Sequence, residues 1–226
     1  MTGEGERLQF SVPDGRVSAV WTPAVQPVAA AAVAHGAGAG LTHPFLAGTA
    51  AAMADDGVSV LRFNFPYMEA RRRVPDRTPV LLGAWRAAID ELSRRGAGLP
   101  MITAGKSMGA RMASMLAAED GPAFSGKALV FFGYPLHPPG KPERLRDAHL
   151  PQIRVPVLFI QGTRDALAEF ALIEDVVRRL GPLARLHAVP DADHSFHVRG
   201  TRRSDLEIGR DLGHVAAAFV RRIAAA

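Results

Sequence analysis

The feature that most limits the fold is a set of short runs, residues 28–34, 58–63, 128–132 and 157–160, that are apolar at nearly every position. A half-exposed strand alternates apolar and polar residues. A strand that is apolar throughout has to be covered on both faces, as in parallel sheets sandwiched by helices. Helical patterns separate these runs. Residues 77–95 set Val80, Leu81, Trp85, Ala88, Ile89 and Leu92 on one stripe and stop at Gly96. Residues 44–56, 108–119, 166–180 and 206–223 also read as helices, and 101–104 and 186–189 as further strands. This alternation predicts an α/β fold, a mostly parallel twisted sheet of about 7–8 strands with helices on both faces.

The N-terminus differs. Residues 8–12 and 17–21 alternate about Pro13-Asp14-Gly15, which predicts an antiparallel hairpin. No repeat or linker divides the rest, so residues 1–226 read as one domain. With 48% hydrophobic and 22% charged residues, the chain can bury a full core and disorder is excluded. No apolar run approaches the ~20 residues that span a bilayer. Residues 1–6 carry acid where a signal peptide carries base, so the expected compartment is the cytoplasm. The absence of cysteine excludes disulfides, thiolate metal sites and cysteine nucleophiles. The net charge is only +5, and the arginines at 71–73, 202–203 and 221–222 are scattered with few aromatics between them. That reads as a solvated surface, and no nucleic-acid partner is expected.

Gly105-Lys106-Ser107-Met108-Gly109 lies between a strand and a helix and has the G-x-S-x-G spacing of a nucleophile elbow. An abrupt strand-to-helix turn lifts the serine hydroxyl clear of the sheet. The flanking glycines admit the close backbone approach, and the helix N-terminus favours developing negative charge. A tight turn without chemistry has the same spacing, so the partners decide. A serine needs a base, and the base an orienting acid, each following a later strand with the acid first. Asp165 follows the strand at 157–160, and His194 the strand at 186–189. Asp165 also suits the cap of a helix beginning near Ala166; Glu169 and Asp193 are rival acids, and His197 a rival base. The oxyanion donors are expected to be the N–H groups of Met108 and of Ala37, in the small-residue loop His35-Gly36-Ala37-Gly38-Ala39-Gly40. Pro100 stands where a phosphate-binding P-loop requires glycine, and no histidine spacing fits zinc, so neither cofactor nor metal is expected.

Those two loops, with His43-Pro44-Phe45, residues 61–69, residues 133–143, Gln161-Gly162-Thr163-Arg164-Asp165 and Ala192-Asp193-His194-Ser195-Phe196, resemble the predicted α/β-hydrolases related to testis-expressed protein 30 and to a chromatin acetyltransferase complex subunit. At the level of fold the chain also resembles dienelactone-hydrolase-like enzymes. The resemblance implies an α/β-hydrolase fold with a minimal lid and Ser107, Asp165 and His194 as triad. It names no substrate and no oligomeric state. The segment 133–156 is the one place for a lid and is short, so small esters or lactones are the expected substrates. Loops after parallel strands gather at one rim. His35, Gly36, Tyr67, Tyr134 and His137 lie in such loops and are expected to contact substrate. The bases at 71–73, with Lys141, Arg144 and Arg146, either face an acidic substrate there or are solvated surface. The competing reading is a catalytically idle interaction module on the same fold.

Overall fold

The computed structural model describes residues 5–96 and 98–225; of the acidic opening read at residues 1–6, the first four lie outside them. In chain order the elements are β1 (Glu6–Val12), β2 (Gly15–Thr22), β3 (Ala29–Ala34), α1 (Pro44–Asp55), β4 (Val58–Phe63), α2 (Pro66–Glu69), α3 (Thr78–Arg95), β5 (Met101–Lys106), α4 (Met108–Asp120), β6 (Ala128–Phe132), β7 (Val157–Gly162), α5 (Phe170–Leu180), β8 (Ala184–Val189) and α6 (Asp205–Ala224). The strands form one sheet in the order β1-β2-β4-β3-β5-β6-β7-β8. The β1–β2 hairpin is antiparallel and joins β4 antiparallel, and every pairing from β4 to β8 is parallel.

Every residue of β3, β4, β6 and β7 is buried. Alternate residues face opposite ways, so the sheet has two cores. Ala30, Ala32, Leu61, Phe63, Phe131 and Phe159 pack with apolar residues of α3, α4 and α5. Ala31, Val33, Val60, Val130 and Phe132 pack with α1 and α6. Trp85 of α3 meets Phe63 edge-on at 5.0 Å. Burying one such aromatic contributes roughly 1.5–3 kcal/mol. Arg62 is the charged exception in β4. Its guanidinium donates to the carbonyl of Leu41 at 3.0 Å, and burial pulls its pKa down.

Two elements depart from the sequence pattern. Phe65-Pro66 opens the single turn α2, with proline at a position where a helix needs no N–H donor. Helix α5 starts at Phe170 rather than near Ala166, because residues 166–169 wrap around Asp165 instead. Helix α6 opens on a reciprocal capping box between Ser204 and Glu207, which satisfies two otherwise orphaned donors.

The parallel register fixes where the functional loops emerge. Ala34 pairs with Gly105, Lys106 with Phe132, Phe132 with Ile160 and Gly162 with Val189. The C-terminal ends of β3, β5, β7 and β8 therefore share one edge of the sheet. The loops that follow them carry Ala37, Ser107, Asp165 and His194.

Candidate active site

Ser107 occupies the one residue between β5 and α4, with φ 51° and ψ −112°. Few side chains adopt this backbone conformation, which costs on the order of 1–3 kcal/mol and persists only when the surroundings enforce it. The flanking glycines are part of that enforcement. A Cβ on Gly105 would lie 2.3 Å from the carbonyl carbon of Gly109, and one on Gly109 would lie 2.6 Å from the carbonyl oxygen of Ala34. The elbow thus fits the sheet only when both positions lack side chains. Ser107 N–H donates to Phe132 O at 3.0 Å, which ties the turn to the neighbouring strand.

The side chains of three loops converge. Ser107 Oγ lies 2.8 Å from His194 Nε2, and His194 Nδ1 lies 2.7 Å from Asp165 Oδ2. A carboxylate only accepts, so Nδ1 carries the proton. Nε2 is then the acceptor for the serine hydroxyl. The Asp165 carboxylate is fully enclosed and accepts two further hydrogen bonds, from Gln161 Nε2 at 2.5 Å and from Leu167 N–H at 2.7 Å. Gln161 in turn accepts from the backbone N–H of Tyr134, so its amide is held in one orientation. Neither rival acid hydrogen-bonds the ring of His194, which pairs with Asp165. Asp193 accepts from the N–H groups of Ser195 and His197 and braces the histidine loop, while Glu169 stands at the residue before α5 without a side-chain capping bond.

A cavity of about 450 Å³ opens over this chain. Its lining includes the small residues Gly36, Ala37 and Ala39, the apolar Phe45 and Leu46, and the polar Lys106, His43, His197 and Asp205. His197 Nε2 donates to Asp205 at 2.7 Å. The N–H groups of Ala37 and Met108 have no acceptor among the described residues. The loop that carries Ala37 is pinned at both ends. Asn64 accepts from Leu41 N–H at 2.8 Å and Arg62 donates to Leu41 O, while His35 holds the near end at Gly36.

The α/β hydrolase domain family matches residues 27–224. The chain belongs to this family. Among solved structures, this α/β hydrolase is similar to an α/β serine hydrolase without lid from Xanthomonas campestris, at 21% identity and TM-score 0.76, over 98% of this chain and 96% of that one. It is similar to a dienelactone hydrolase from Anabaena variabilis at 21% identity and TM-score 0.76, over 97% and 99%. It is also similar to Est1E from Butyrivibrio proteoclasticus with ferulic acid bound, at 14% identity and TM-score 0.73, over 97% and 100%. At these identities the likeness concerns the fold.

Of the residues expected to contact substrate, the hydrolase brings only Gly36 to the cavity wall. His35 is fully buried. Phe65 N–H donates to its Nε2 at 3.1 Å and its Nδ1 donates to Gly36 O at 2.7 Å, with Phe65 and Tyr67 packed edge-on against the ring. Burial drives its pKa down to about 4, against a smaller upward pull from the Gly36 carbonyl and Glu69. The ring is therefore neutral at pH 7 and serves as a strut behind the glycine loop. Tyr67 and Tyr134 are likewise fully buried. The hydroxyl of Tyr134 donates to Arg146 O at 2.8 Å, and burial pushes its pKa up to about 12. His137 accepts from Glu169 N–H and donates to Pro138 O, which joins the 133–147 loop to the Asp165 loop. No residue of the segment 133–156 lines the cavity, so that segment is a side wall of the fold rather than a cover. Neither basic cluster lines it; Arg72 pairs with Asp76 instead.

A second serine–histidine contact lies deeper. Ser114, within α4, is 2.8 Å from His149 Nε2. The Ser114 hydroxyl donates to Arg111 O at 2.7 Å, so it accepts from His149. A histidine that donates to a serine is not its base. Ser114 is fully buried and lines no cavity described above, and this contact is packing. Lys106, Gln161, His43 and Asp205 carry no motif signal that marks them as site residues. Gln161 was the most accessible of these to inference, as a polar residue closing an apolar strand four positions before the acid.

Proposed function

We propose that this hydrolase cleaves a small ester, lactone or related acyl compound through a serine acyl-enzyme. The observation that carries the reading is the unbroken hydrogen-bond chain from Asp165 through His194 to Ser107 at the wall of an open cavity. Ser107 Oγ attacks the acyl carbon while His194 Nε2 takes its proton, and Asp165 stabilises the imidazolium. The carbonyl π electrons move to oxygen, and the N–H groups of Met108 and Ala37 stabilise that oxyanion. Collapse breaks the bond to the leaving group, which receives the proton from His194. Water then repeats the sequence on the acyl-serine, returning the free acid and Ser107.

A cavity of about 450 Å³ suits a small acyl compound rather than a long chain. A neighbour named as a dienelactone hydrolase and another with ferulic acid bound support that size class. The narrower resemblance to the relatives of testis-expressed protein 30 names no substrate and leaves this reading unchanged. Among the described residues no helix is long and apolar enough to cross a membrane, and on this reading the substrate is a small molecule met in the cytoplasm.

An idle interaction module has no physical need for a strained serine, an enclosed aspartate and a correctly tautomeric histidine. The test is turnover of p-nitrophenyl acetate. Ser107→Ala is expected to lower kcat by about 10⁴-fold or more with the melting temperature close to that of the parent. Turnover retained in that variant would overturn the assignment.

A further inference from the structure

Lys106 sits beside the nucleophile, yet the acyl-transfer scheme gives it no task. Its side chain leaves the end of β5 and reaches across to the histidine loop, where Nζ donates to the backbone carbonyl of His194 at 2.6 Å. The ammonium also lies 5.2 Å from the centre of the Phe196 ring, which stacks on Phe45. No carboxylate of the described residues forms an ion pair with it. A charged donor held by one carbonyl and one ring face has a directional role, because a solvated lysine would turn to water.

The other backbone ties of this loop point away from the serine. Arg164 N–H donates to Ala192 O, and Asp191 N–H donates to Thr163 Oγ1, both toward the loop after β7. Asp193 braces the loop internally. Lys106 alone among these contacts links the backbone of His194 to the strand that leads into Ser107. A misplacement of about 1 Å between a base and its nucleophile can cost on the order of a hundredfold in rate.

We propose that Lys106 is a positioning residue that clamps the His194 loop onto the nucleophile elbow. The inference rests on the serine-hydrolase reading above. The charged groups facing the ammonium are Asp165, Asp193 and Asp205, whose fields favour the cation, together with His194, whose carbonyl it holds. Desolvation opposes them and brings the lysine down to about 8. The clamp is therefore mostly charged at neutral pH and weakens above it.

The test compares wild type, Lys106→Met, Lys106→Arg and Ser107→Ala with p-nitrophenyl acetate between pH 6.5 and 9.5. Amide hydrogen exchange of residues 190–198 is measured alongside. Loss of a charge-assisted hydrogen bond is expected to lower kcat of Lys106→Met by about 10- to 100-fold, with KM within about threefold. Wild-type kcat should decline with a midpoint near pH 8, and Lys106→Met should lack that decline. Exchange at 190–198 should quicken in Lys106→Met, and Lys106→Arg should recover part of the rate and of the protection.

A Lys106→Met enzyme with kcat within about twofold of wild type and unchanged exchange would overturn the clamp. So would a loss confined to KM, which would make Lys106 a substrate contact. If Ser107→Ala keeps its turnover, the serine reading fails on its own account. Loop exchange in Lys106→Met then still decides whether the clamp exists.

Discussion

His35 offers a quantitative test of the strut behind the glycine loop. The unfolded chain binds a proton at this ring near its ordinary 6.5, while the folded chain resists until about 4. Between those values unfolding takes up a proton, so the contribution is fully present above about pH 6.5 and is lost as pH falls through about 4. That gap, at ~1.4 kcal/mol per pH unit, amounts to about 3 kcal/mol. The structure gives the cause. A protonated Nε2 has no lone pair for the N–H of Phe65, and the ring is sealed between Phe65 and Tyr67. His35→Gln is the matched control, since an amide can donate to Gly36 O and accept from Phe65 N–H without titrating. Urea unfolding at pH 7, 6, 5 and 4 would measure both proteins. The wild type should lose about 3 kcal/mol more than the variant across that range, and other titrating groups cancel in the comparison. A stability difference that stays constant with pH would refute the argument.

Gly109→Ala drives a Cβ to 2.6 Å from Ala34 O and 2.8 Å from His35 O, both backbone atoms that cannot swing aside. It should cost about 1–3 kcal/mol in urea unfolding and slow ester turnover as the elbow shifts; a neutral result in both measurements would contradict the close-approach argument. Gln161→Met removes a donor to Asp165 and the acceptor of Tyr134 N–H in a fully buried position. Each group left unpaired should cost about 1–3 kcal/mol, read by urea unfolding, and kcat should fall because Asp165 is less firmly oriented.

The parts of the fold legible in the sequence are those set by local chemistry. Runs such as 128–132, short, apolar and rich in β-branched or aromatic residues, read as strands covered on both faces, and Gly-Lys-Ser-Met-Gly between a strand and a helix reads as a sharp turn. Asp165 and His194 stand out as candidates because the chain places each just beyond a strand end. What remained hidden depends on contacts between distant segments. The ring of His35 turns inward because Phe65 and Tyr67, some thirty residues on, enclose it and Phe65 N–H needs an acceptor. His137 points away from the cavity because Glu169 N–H and Leu167 O capture its ring and its backbone. The delayed start of α5 has the same origin, since Leu167 N–H turns to the Asp165 carboxylate instead of entering a helix. Lys106 occupies the variable position of its motif, where spacing carries no information about where a long side chain will reach.

The most direct measurement is mass-spectrometric mapping of the protein after treatment with a fluorophosphonate. The account predicts one adduct per chain, on Ser107, formed much more slowly in His194→Ala. A folded protein that takes up no label, or one labelled at Ser114 instead, would contradict it.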